Sequence, residues 1–116
     1  MSRPSLLKSI SYSLQGLRSV WRQERSFKIE VFGFVLTIIA GLMLKLTPSE
    51  WTAVILASGF VLGAEVVNTI AEDILDHLHP ERHPEVGRIK DVGAALVLVA
   101  VLTAATVAAV ILWGRL

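Results

Sequence analysis

The sequence predicts an all-α membrane protein, built from an N-terminal amphipathic surface helix and three transmembrane helices. Three observations carry that prediction. At 116 residues the chain is 53% hydrophobic with a mean hydropathy of +0.63, too apolar for an ordinary soluble domain of this size. Apolar runs long enough to cross a bilayer recur, and the charges gather between them. The first stretch has helical periodicity with basic residues opposite its apolar face. One membrane domain over residues 1–116 is the natural reading. A net charge of +1 gives no reason to expect a nucleic-acid partner. The chain has no cysteine, which excludes disulfides, thiolate catalysis and thiolate metal sites. No secretory signal peptide is expected, because the polar, basic start is not followed by a short apolar core and cleavage site.

The surface helix is expected over residues 5–25. Leu6, Ile10, Leu14, Leu17 and Trp21 fall on one side of a helical wheel, and Lys8, Ser11, Gln15, Arg18 and Arg22 on the other. Such a helix suits the plane of a membrane interface. The first transmembrane helix is expected over 27–46, ~30 Å at 1.5 Å per residue. Lys28, Glu30 and Lys45 lie near its ends, where they can snorkel or be buried in protein contacts. Thr47 to Glu50 reads as a turn with Thr47 or Ser49 as N-cap, and Trp51 stands where an aromatic belt would place it. The second span, 51–78, is ~42 Å long and should project into water at its C-terminal end. Within it, Gly59 and Gly63 form a GxxxG that predicts close helix packing. Residues 79–88, interrupted by Pro80, Pro84 and Gly87, read as a polar loop. The third span, 92–114, carries no charge and ends near Trp113.

Basic residues orient the chain. Arg3, Lys8, Arg18, Arg22, Arg25 and Lys28 precede the first span, and Arg82, Arg88 and Lys90 separate the second from the third; Lys45 and Arg115 lie on the other side. The positive-inside rule then puts the N-terminus and the 79–91 loop in the cytoplasm.

The stretch EVVNTIAEDILD, Glu65 to Asp76, sets the functional question. Glu65, Asn68, Glu72 and Asp76 share one helical stripe on a helix otherwise built for lipid. An ionisable group within a membrane helix costs roughly 2.5–3.5 kcal/mol on insertion scales and marks function by default. By depth, Glu65 lies just inside the membrane and Glu72 at its edge. A carboxylate below the headgroups can meet a lipid hydroxyl, and carboxylates above can hold Mg²⁺ with nucleotide phosphates. Phosphoryl transfer needs a base, charge neutralisation and positioning, which the stripe offers in depth order. Asn68 can instead simply bridge two helices, and Asp73 and Asp76 can be solvated helix-end charges. His77, His79 and His83 resemble a weak metal cluster, or merely a polar loop. There is no GxxxxGK[ST] or GxGxxG, so ATP would bind without a P-loop. A lone chain offers little to cover Glu65 and Glu30 from lipid, which favours an oligomer.

Three blocks resemble the small prokaryotic integral-membrane diacylglycerol kinases: YSLQGLRSVWRQERSFKIE (12–30), AEVVNTIAEDILD (64–76) and GRIKDVGAALVL (87–98). The resemblance implies a homotrimer in the bacterial inner membrane that transfers the ATP γ-phosphoryl group to a lipid alcohol with Mg²⁺. It implies Glu65 as general base on the lipid hydroxyl and Asn68 as a positioner of acceptor or γ-phosphate. It also implies Glu24 and Glu72 as metal ligands, Lys90 and Asp91 at the nucleotide, Tyr12, Glu81, Arg82 and His83 around it, and Glu30 near the lipid. Departures are Thr69-Ile70-Ala71 where the family reads Ser/Thr-Ala-Ile, and Asp73 where a small or apolar residue is usual. YSLQGLRSVW and GRIKD look like the diacylglycerol branch, RSFKIE and SEW like the undecaprenol kinase branch. The acceptor is therefore 1,2-diacylglycerol, giving phosphatidic acid, or undecaprenol. A small proton-coupled transporter also carries a membrane-embedded Glu, but it does not need the rest of the stripe or Lys90-Asp91.

Overall fold

Three of the four helices start where a side chain supplies an acceptor for a free N–H group. In the computed structural model, which describes residues 3–116, the order is α1 (Leu6–Gln23), α2 (Arg25–Leu44), α3 (Pro48–Leu78) and α4 (Pro84–Gly114). Ser5 caps α1, its Oγ accepting from the Lys8 N–H at 3.3 Å. Thr47, rather than Ser49, caps α3 in a full capping box: Thr47 Oγ1 accepts from Glu50 N–H at 3.2 Å, and Glu50 Oε1 accepts from Thr47 N–H at 2.9 Å. Pro48 then takes the first helical position, where its missing donor is no loss.

The four helices include three long and apolar enough to cross a membrane, α2, α3 and α4. The amphipathic α1 leaves Leu6, Ile10, Leu14, Leu17 and Trp21 exposed, as a helix lying in an interface requires. Glu24, with extended backbone, breaks the chain between α1 and α2, and Lys28 closes that corner by resting over the Trp21 ring at 5.9 Å. α2 begins and ends two residues earlier than the 27–46 reading. It ends because Lys45 adopts a left-handed backbone (φ 54°), turning Leu46 N–H onto the Gly41 carbonyl at 3.1 Å.

The larger correction is at α4. The loop is short, because the helix expected from residue 92 begins at Pro84. Pro84 is compatible with a first turn, and His83 Nδ1 accepts from the Glu85 N–H at 3.1 Å as an N-cap. Gly87 costs about 1 kcal/mol against Ala in a helix interior, too little to break one so capped. Lys90 and Asp91 therefore sit on a helix, not in a loop.

α3 packs chiefly on α4 and less on α2, while α1 contacts α2. The buried centre is small: Val61, Ala64 and Ala100, flanked by Leu96, Val97, Val101 and Ala104. Ala64 and Ala100 let the two backbones approach closely, the usual device where lipid removes the hydrophobic drive between helices. The GxxxG does not do this within the chain. A Cβ at Gly59 or Gly63 would meet open space, because α4 lies against the other side of α3. Gly41 does make a close approach: a Cβ there would run into Trp51 and Leu46, so Trp51 lies across α2 as well as at the helix end.

Candidate active site

The α3 stripe runs from interior to surface. Glu65 is 5% exposed, Asn68 and Glu72 are half-buried, and Asp76 is exposed. One chain therefore buries Glu65 and leaves Glu30 half-buried, so the shortage of cover expected of a lone chain does not hold at Glu65. Thr69, also buried, donates its hydroxyl to the Glu65 carbonyl at 2.9 Å and so hides its own polarity.

Glu65 feels the charges of Glu30, Glu24 and Glu72, which places carboxylates from α2, the α1–α2 corner and α3 about one region. Glu24 shows what that gathering does. Its carboxyl is held above the usual range, first by partial burial and then by the charges of Glu72 and Asp73. Among the described residues, no three His, Cys, Asp or Glu side chains come together as a metal site by themselves. His77, His79 and His83 form no such cluster, and His83 is occupied as a helix cap. Glu24 and Glu72 nevertheless suit Mg²⁺, which takes one or two carboxylates and completes its shell from phosphate oxygens and water.

Above the stripe, a cleft of ≈ 480 Å³ opens between the end of α3 and the start of α4. Asp76, Glu81, Arg82, His83 and Lys90 are among its lining residues. Lys90 Nζ meets Asp76 Oδ1 at 2.5 Å, with side chains 37% and 62% exposed respectively. The cation is thus held at the cleft by a partner that water screens, and a phosphate could replace it at little cost. Tyr12 and Asp91 are exposed and do not line this cleft. Glu30 borders a smaller cavity of ≈ 170 Å³ with Thr37, Ser58, Val61 and Ala104, on the membrane side of the stripe. Ser58 and Thr37 escaped the sequence reading because isolated hydroxyls in an apolar run carry no local signal.

The structure thus brings Glu24, Glu30, Glu65, Asn68 and Glu72 into one acidic region, with Glu81, Arg82, His83 and Lys90 around the neighbouring cleft. Known proteins decide what such an arrangement belongs to. A family model described as prokaryotic diacylglycerol kinase matches residues 11–112. The chain belongs to that family. It is 30% identical over 110 residues to the diacylglycerol kinase of Escherichia coli K12, covering 95% of this chain and 90% of the relative. The diacylglycerol kinase of Haemophilus influenzae is 34% identical over 109 residues, covering 94% and 88%. The undecaprenol kinase of Bacillus subtilis is 28% identical over 92 residues, covering 79% and 75%. A prokaryotic diacylglycerol kinase family member is a membrane lipid kinase that takes its phosphoryl group from ATP. The three relatives are kinases, and the transporter alternative gains no support from them.

Proposed function

We propose that the chain phosphorylates 1,2-diacylglycerol to phosphatidic acid, as a homotrimer in the bacterial inner membrane with its N-terminus and the short α3–α4 connection in the cytoplasm. The observation that carries this reading is the buried Glu65 carboxylate at the foot of a stripe that rises to the Lys90 cleft. Glu65 takes the proton of the lipid hydroxyl as that oxygen attacks the γ-phosphorus of ATP. The bond to the bridging oxygen breaks and ADP leaves. Asn68 positions the reacting groups through its carboxamide. Lys90 exchanges Asp76 for phosphate oxygens and Glu81, Arg82 and His83 line the cleft around the nucleotide, while Tyr12 and Asp91 stand outside that lining. Glu24 and Glu72 would hold Mg²⁺, whose charge neutralises the phosphates as charge shifts to the leaving group. Glu30 keeps the lipid headgroup side of the site polar.

Diacylglycerol is favoured because the Escherichia coli and Haemophilus influenzae relatives so named match more of the chain, at higher identity, than the undecaprenol kinase does. Undecaprenol is the second reading, supported by that relative and by the RSFKIE and SEW segments. The test is a detergent-solubilised assay with labelled ATP that offers both alcohols side by side. Phosphatidic acid as the dominant product is expected. Dominant undecaprenyl phosphate would reassign the acceptor, and label in neither lipid would end the kinase reading.

A further inference from the structure

The carboxamide of Asn68 poses a question that the reaction alone does not answer. Its Nδ2 donates to Glu72 Oε1 at 3.2 Å, one helical turn along α3. Its Oδ1 is buried with no hydrogen-bond partner, an exception among the described residues. Turning the amide over would set an oxygen against the Glu72 carboxylate, so the charge on Glu72 fixes which end faces which. Oδ1 must then point into the α3–α4 contact, and what it meets there is Gly93. A Cβ built on Gly93 would collide with Asn68 Oδ1 and lie 3.4 Å from its Cγ and 3.9 Å from the Asn68 Cα. Gly93 stands one helical turn beyond Lys90 and presents bare Cα hydrogens, weak donors, to an acceptor that has nothing else.

From this the structure assigns Gly93 a positioning role. The absence of a side chain at 93 lets the Asn68 carboxamide lie between α3 and α4 with its NH₂ held on Glu72, which sets the orientation of that carboxylate toward a divalent cation. The assignment rests on the kinase reading only in taking Glu72 as a cation ligand. A methyl group at 93 has two outcomes. Either the carboxamide rotates and releases Glu72, or the helices part where Lys90 and Glu72 must work together.

The test is a set of four proteins, the wild type, Gly93→Ala, Asn68→Ala and the double variant, purified as full chains in detergent. Mn²⁺ binding in the presence of a non-hydrolysable ATP analogue is followed by electron paramagnetic resonance, and phosphorylation is measured against free Mg²⁺. Loss of a partner that orients a metal ligand typically weakens metal affinity ~10–100-fold. Gly93→Ala should weaken Mn²⁺ binding at least ~10-fold on that scale and raise the half-saturating Mg²⁺ in parallel, with the lipid KM changed less than about twofold. The double variant should be no worse than the poorer single one, because both changes break the same contact. Mn²⁺ binding as in the wild type, or losses that multiply in the double variant, would overturn the assignment. Should Gly93→Ala fail to fold, the double variant should fold, since the obstructing carboxamide is gone; failure of both would equally overturn it. A wild type that binds Mn²⁺ yet phosphorylates no lipid would sink the kinase reading and leave the role of Gly93 standing.

Discussion

The two ends of the helix bundle treat charge in opposite ways. At the end where α2 stops, α3 starts and α4 stops, Arg115 makes a fork onto Glu50, with Nε to Oε2 at 3.1 Å and a second nitrogen on Oε1 at 2.5 Å. The same guanidinium donates to the Leu44 carbonyl at 2.9 Å and the Lys45 carbonyl at 3.2 Å, satisfying groups that the end of α2 leaves open. One cation thus ties three helices, and Arg115 and Glu50 satisfy each other there. At the other end partial burial, and then the charges of Glu72 and Asp73, make Glu24 hold its proton more tightly than an ordinary Glu. Paired charges hold a fold, whereas gathered like charges are costly and await a ligand. The contrast is one between a paired end and an acidic one, and the proposed chemistry uses the acidic end.

The contrast can be broken first at its most demanding residue. Glu65→Gln keeps size and hydrogen bonding but cannot take a proton, so turnover should fall by ~10²-fold or more while nucleotide binding is retained. Turnover at the wild-type level would remove Glu65 from its role. Next comes Glu72→Ala, which should raise the Mg²⁺ needed for half-maximal activity by at least ~10-fold, the scale seen when even an outer partner of a metal ligand is lost; a superimposable Mg²⁺ titration would refute the assignment. Arg115→Ala attacks the other end. It should lower Tm in detergent by a few degrees yet leave turnover per folded molecule within about twofold, because nothing it touches borders the cleft. A loss of turnover without a loss of Tm would erase the distinction between the ends. A smaller effect is expected from Asp73→Asn, which removes one of the charges that raise Glu24. Protons compete with the cation for Glu24, so activity at limiting Mg²⁺ should fall as pH drops, beginning above the usual carboxylate range. In Asp73→Asn that acid limb should move to lower pH, and a limb moving upward would contradict the electrostatic account. Smallest is Thr47→Ala, which removes half of a capping box and should cost about 1 kcal/mol of stability with no kinetic change.

How far each of these features could be read in advance followed from the range of the interaction. The spans and the graded burial of Glu65, Glu72 and Asp76 were legible, because helical periodicity and apolar length act locally. The start of α4 is hidden in the sequence because Pro84 and Gly87 read as interruptions, although Pro at the first helical position is favourable and one Gly is tolerated. The GxxxG at Gly59 and Gly63 has the right spacing, but spacing does not say on which side the neighbour lies. Gly93 against Asn68 and Arg115 against Glu50 both depend on the approach of distant segments, and no local pattern announces them. Only the resemblance points to Glu24; no periodicity or spacing in the sequence does. The structure gives its physical reason, a place at the α1–α2 corner within reach of Glu72 and Asp73.

The 31 residues of α3 span ~46 Å, about half as long again as the hydrocarbon they cross. The height at which its acids meet the headgroups is therefore set by the lipid as much as by the protein. In a thin bilayer of short acyl chains, Glu65 would rise toward water and lose its dry surroundings; in a thick one, Glu72 would sink below the level that nucleotides reach. Rate plotted against acyl-chain length should pass through a maximum, making membrane thickness an adjustable dial on the chemistry.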